Sequence, residues 1–136
     1  MTDIVSAGSA SVSRLIGDSV IRIASDATLA DAARVLTGSE IGAVLVGDEA
    51  RPRALVSERD LVHAVADGRD PASTLATEVA STELAWCDVD STIDEVAMEM
   101  MDRYIRHVLV EDDGALVGIV SARDLLGAYS DGARTD

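Results

Sequence analysis

Val56-Ser57-Glu58-Arg59-Asp60-Leu61 and Val120-Ser121-Ala122-Arg123-Asp124-Leu125 are one short phrase written twice, 64 residues apart. Extending that offset backward lays residues 26–61 on 90–125 without a gap, and 13 of the 36 positions are identical. Unrelated stretches of this composition would share roughly 3. The identities include Asp26/Asp90, Thr28/Thr92, Ile41/Ile105, the run Val44-Leu45-Val46 over Val108-Leu109-Val110, and Asp48/Asp112. The chain is a tandem duplication. Two copies of a half-sized unit ordinarily bury their apolar faces together, and the seam between copies is a natural place for a ligand.

The periodicities around the phrase read alike in both copies. A short strand (Val20–Ile23, Leu84–Cys87) precedes a helix, followed by two apolar strands joined by a tight turn and then a second helix. The first helix opens at Thr28 or Thr92 with an acid three residues on, Asp31 or Glu95, the reciprocal arrangement that satisfies free backbone donors. Leu29, Ala32, Ala33 and Leu36 then recur at helical spacing, as do Ile93, Val96, Ala97 and Met100, giving each helix one buried face. Ala43–Val46 with Ala54–Val56, and Val108–Val110 with Val117–Val120, read as antiparallel pairs; Asp113-Gly114 suits a hairpin turn. The fold expected is α+β, two βαββα repeats packed with pseudo-two-fold symmetry, each a small sheet with helices on one side. The boundaries expected are a flexible tail at 1–11, the first repeat at 12–66, a polar Gly/Pro linker at 67–75, the second repeat at 76–129 and a tail at 130–136.

With 136 residues, 48% of them hydrophobic, the chain is the size of one compact domain, and no apolar run reaches the roughly 20 residues of a membrane span. The N-terminus lacks the basic-then-apolar pattern of a secretory signal, which predicts a cytoplasmic protein. A net charge of −14 repels nucleic acid and anionic membranes, and it opposes nucleotides too unless arginines gather around the phosphates. Every one of the 11 basic residues is arginine. The single Cys87 has no Cys or His cluster beside it and reads as a small buried hydrophobe. His63 and His107 have no second ligand at metal spacing, so no metal site is expected. No catalytic residue is assigned: neither a Ser-His-Asp order nor a Gly-rich phosphate loop is present.

Chemistry concentrates in the repeated phrase. In both copies an apolar strand runs straight into a helix that begins at the serine. Free N–H groups and the positive helix end there favour phosphate, Ser57 or Ser121 adds a donor, and Arg59 or Arg123 adds a forked charge. Asp60 or Asp124, one turn on, accepts two hydrogen bonds from a diol, so the set suits a ribose carrying a phosphate. The same Ser-x-x-Asp spacing is also a plain capping box, and that reading stands beside the first.

Two such repeats, each closing in Val-Ser-x-Arg-Asp-Leu, resemble a pair of CBS domains over about residues 12–127. The second copy is the closer match through Ile105-Arg106-His107-Val108-Leu109-Val110 and Gly118-Ile119-Val120-Ser121. The resemblance implies adenosine-containing ligands such as AMP, ADP, ATP or S-adenosylmethionine, bound in clefts between the repeats. It implies ribose contacts from Asp60 and Asp124, ribose or phosphate contacts from Ser57 and Ser121, and weaker roles for Arg59 and Arg123. Arg106 and His107 would face a phosphate, whereas the first copy has Gly42 and Ala43 there. Adenine would lie near Ile21, Ile23, Ala85 and Cys87 and be read by backbone groups. Gly118 would stand beside the ligand, with Ala54 narrowing the first cleft, so the Asp124 site is favoured. The implied protein is a homodimeric, non-catalytic sensor acting on an unidentified effector protein. The competing readings are a ligand-free dimerisation scaffold and, third, an enzyme.

Overall fold

The computed structural model describes residues 7–17, 20–39 and 42–134. Its elements are a short 3-10 turn at Val12–Leu15, β1 (Arg22–Ile23), α1 (Leu29–Thr37), β2 (Ala43–Val46), β3 (Leu55–Ser57) and α2 (Glu58–Ala66). There follow α3 (Ala76–Val79), β4 (Trp86–Asp88), α4 (Ile93–Arg103), β5 (His107–Asp112), β6 (Ala115–Ser121) and α5 (Ala122–Arg134). They form two three-stranded sheets, β1-β2-β3 and β4-β5-β6. In each, the first strand runs parallel to the middle one and the third runs antiparallel to it. The parallel step requires a crossover, and α1 and α4 supply it.

The helices start where the sequence says. Thr28 accepts from Asp31 N while Asp31 accepts from Thr28 N, and Thr92 and Glu95 do the same. These hydrogen bonds hold both acids below the ordinary carboxylate range. The β5–β6 connection is a two-residue turn in which Asp113 (φ 53°) and Gly114 (φ 85°) both adopt positive φ, as a hairpin of matching twist demands.

The chain divides into two compact units: Val20–Leu84, and the described residues before 20 together with those from 85 onward. In the first, Ile23, Ala32, Leu36, Val44, Val46 and Val56 form the core, joined by Ala76 from α3. In the second, Ile93, Val96, Met100, Val108, Val110 and Val120 form the core, joined by Val12. The segment that precedes each copy therefore docks on the other copy's elements. Ser11 bridges Thr92 and, 64 residues on, Leu75 bridges Thr28. Val12 N–H donates to Ser91 O at 2.7 Å, and Ala76 N–H donates to Ala27 O at 2.8 Å.

Residues flanking the expected repeats also make contacts with them. Residues 7–11, expected as tail, are engaged through Ala10 O, which accepts from Ile93 N–H at 2.9 Å; residues 1–6 lie outside the described residues. The end of the expected linker is tied to α1, since Leu29 N–H donates to the carbonyl of the buried Thr74. Ser130–Arg134 continues α5 rather than forming tail, and residues 135–136 lie outside the described residues.

Candidate functional site

Each repeated phrase folds into a strand-to-helix turn with the same bond set. Ser57 Oγ accepts from Asp60 N–H at 3.2 Å, and Asp60 Oδ2 accepts from Ser57 N–H at 2.9 Å. The equivalent bonds at Ser121 and Asp124 measure 3.1 and 2.8 Å. Both are complete capping boxes. The cap uses one carboxylate oxygen of each Asp and one lone pair of each Ser, which leaves a hydroxyl proton at each turn and Oδ1 of Asp124, while Oδ1 of Asp60 is also approached by a serine hydroxyl. Capping and diol binding are therefore compatible on the same residues. Asp60 and Asp124 are half-buried, Ser121 is buried, and Arg59 and Arg123 are exposed.

In the second unit the turn gathers further residues. His107 pairs with Ser121 across β5 and β6, and Ala122 N–H donates to Arg106 O at 2.9 Å, so Arg106 and His107 flank the start of α5. In the first unit the matching bond runs from Glu58 N–H to Gly42 O at 3.0 Å, and Ala43 pairs with Ser57. Arg34, Arg53, Arg69 and Arg103 each pair with a carboxylate. Arg59, Arg106 and Arg123 have no ion-pair partner among the described residues and remain available to an anion.

Gly118 is buried, and a Cβ there would come within 2.7 Å of Ile16 Cγ2, so the missing side chain makes room for Ile16. In the first unit the corresponding pair is Ala54 and Ala80, both packed on its core. The Gly118/Ala54 difference is thus balanced by Ile16/Ala80. The carbonyls of Ile21 and Ile23 accept from Leu45 and Gly47 N–H, and that of Ala85 accepts from Leu109 N–H, so these groups face the neighbouring strand. Cys87 packs against the second core; burial, then the charges of Glu99, Asp88 and Glu111, push its thiol up to about 11. His63 is exposed on α2, and the described residues contain no group of three or more His, Cys, Asp or Glu placed to hold a metal ion.

Sequence reasoning passed over Ser81. Its hydroxyl lies 3.4 Å from both Asp60 oxygens, and its backbone is bonded twice to Leu55. The 64-residue offset pairs it with Gly17, outside the gap-free stretch where the repeat is obvious.

Comparison with known proteins places this geometry in a family. The CBS domain model matches residues 12–67 and 76–131, and the chain belongs to that family as a tandem CBS pair, a regulatory class of module. An uncharacterised protein of Methanopyrus kandleri is 33% identical over 85 residues, covering 61% of this chain but only 43% of that protein's length. The crystal structure of a CBS-domain protein from Agrobacterium tumefaciens, 32% identical, covers 87% of this chain and 98% of its own with a TM-score of 0.80. A CBS domain protein from Pyrobaculum aerophilum complexed with AMP is 27% identical, covers 89% and 98%, and has a TM-score of 0.75.

Proposed function

We propose that this CBS pair is a non-catalytic sensor that binds an adenosine-containing ligand at the Ser-x-Arg-Asp turn of Asp124 and signals to a separate effector protein. The observation that carries the reading is the bond inventory at Asp124. Its Oδ2 caps α5, and beside it Arg106 and Arg123 are unpaired among the described residues. A ribose diol donates to the carboxylate, the Ser121 hydroxyl donates to a ribose or phosphate oxygen, and the two guanidiniums meet the phosphate. The AMP complex of the Pyrobaculum aerophilum protein supports AMP as the first probe, with ADP, ATP and S-adenosylmethionine beside it.

The protein carries out this role in the cytoplasm as a homodimer. Among the described residues no helix is long and apolar enough to cross a membrane. Val62 and Val65 on α2, and separately Leu126 on α5, are each about two-thirds exposed, apolar side chains that a second copy would cover. The completed capping boxes favour one other reading, a ligand-free scaffold whose motif serves only to start helices.

Thermal unfolding of nucleotide-free protein against the ligand panel separates the two. A bound ligand at about 100 times its dissociation constant stabilises by roughly 2.7 kcal/mol, and Asp124→Asn removes that gain while keeping an acceptor for the Ser121 cap. No shift with any ligand at millimolar concentration leaves the scaffold reading standing.

A further inference from the structure

The two strand-to-helix turns share a motif but not a setting. Around Asp124 the chain supplies two arginines, Arg123 within the phrase and Arg106 through its backbone bond to Ala122, and the residue between Ser121 and Arg123 is the neutral Ala122. At Asp60, Arg59 stands against two carboxylates, because Glu58 replaces that alanine. Glu58 also leans back over Gly42: a Cβ on Gly42 would lie 2.9 Å from Glu58 Oε1. Gly42 occupies the place of Arg106, so the first turn has a carboxylate where the second offers a cation. An anion at the first turn meets like charge at short range.

Ser81 adds a second difference. The backbone bonds from Ser81 N–H to Leu55 O (2.8 Å) and from Leu55 N–H to Ser81 O (3.0 Å) fix it beside β3. Its hydroxyl straddles Asp60 Oδ1 and Oδ2, whose Oδ2 already accepts from Ser57 N–H. The acceptors a ribose diol needs are thus partly satisfied within the chain. Gly17, at the equivalent position, has no side chain, and a Cβ added there would meet nothing within 4 Å.

We propose that Ser81 and Glu58 are specificity-determining residues that exclude phosphorylated ribosyl ligands from the Asp60 turn, so that each chain takes one such ligand, at Asp124. The proposal rests on the sensor reading above. Ser81 competes for the ribose acceptors and Glu58 opposes the phosphate; their counterparts Gly17 and Ala122 do neither. A ligand lacking phosphate escapes the second obstacle, so adenosine discriminates less between the turns than AMP does.

Isothermal titration of the nucleotide-free chain with AMP, and separately with adenosine, tests this. The wild type is expected to bind one equivalent of AMP, retained in Asp60→Asn and lost in Asp124→Asn. Ser81→Gly combined with Glu58→Ala is expected to gain a second equivalent, at least tenfold tighter than any residual binding at that turn in the wild type. The reciprocal Gly17→Ser with Ala122→Glu is expected to weaken the Asp124 equivalent about tenfold. Two equal equivalents in the wild type, a single equivalent that vanishes in Asp60→Asn, or swaps that change neither stoichiometry nor affinity would each overturn the assignment while leaving adenosyl binding intact. Absence of AMP and adenosine binding in the wild type and in every variant would overturn the sensor reading, and this assignment with it.

Discussion

Placing a methyl group at position 118 isolates the packing logic of the second unit. The Cβ of Gly118→Ala would lie 2.7 Å from Ile16 Cγ2, 3.2 Å from Cγ1 and 3.4 Å from Cβ. Carbon pairs prefer about 3.5–4.0 Å, so the closest approach is about 1 Å too short, and the contact is made by the branched stem of Ile16 rather than a flexible tip. Overpacking of this kind costs about 1–3 kcal/mol. Ile16→Ala removes the obstruction and, together with Gly118→Ala, places at both positions the alanines that the first unit has at Ala80 and Ala54, each packed on its core. Ile16 is half-buried, so its truncation alone should cost about 1–2 kcal/mol, below the range for fully buried positions. In the Ile16→Ala background the added methyl should cost under about 0.5 kcal/mol, a coupling of about 0.5–3 kcal/mol. Urea unfolding followed by the fluorescence of Trp86, which belongs to the same unit, measures all four corners of the cycle. Additive costs, with Gly118→Ala equally harmful in both backgrounds, would refute the packing argument.

Three further outcomes follow from the titrating groups. The Cys87 thiol, pushed up to about 11, should react with a thiol reagent at pH 8 roughly a hundredfold more slowly than the same residue in urea; equal rates would contradict its burial. Tyr129 donates a hydrogen bond to Asp94; burial first, then that bond and the Asp94 charge, push its phenol up to about 12. A raised folded value means the stability it contributes is complete below its unfolded value of about 10 and is lost as pH rises through about 12. Tyr129→Phe should therefore remove a late component from the alkaline absorbance titration. Asp31 and Glu95 lie below their ordinary values because they cap α1 and α4, so the stability they contribute is present above about pH 4 and falls away in acid. Thr28→Ala with Thr92→Ala should flatten the acid limb of stability against pH by urea midpoint; an unchanged limb would show that the caps do not set it.

The repeated phrase carried most of the fold because each of its parts has a local cause. Capping residues, helical apolar spacing and an Asp-Gly turn all act within a few residues, and Thr28, Thr92 and Gly114 stand where such rules put them. The docking of Val12 on one core and Ala76 on the other was not legible in the same way. A repeat offset says that two segments are equivalent, but a four-residue turn has too little periodicity to say which copy receives it. The same limit hid Ser81, whose approach to Asp60 depends on the Leu55–Ser81 bridge rather than on spacing. The room that Gly118 leaves for Ile16 was not legible for a related reason. A glycine facing a ligand and a glycine facing Ile16 look alike until the neighbour is known.

Fluorescence of Trp86 during titration of nucleotide-free protein with AMP addresses the central claim most directly, since this residue, the sole tryptophan, sits on β4 between the expected adenine neighbours Ala85 and Cys87. The account predicts a saturable change in the wild type and in Asp60→Asn that is absent in Asp124→Asn. A flat signal to millimolar AMP, or a change that survives Asp124→Asn, would contradict it.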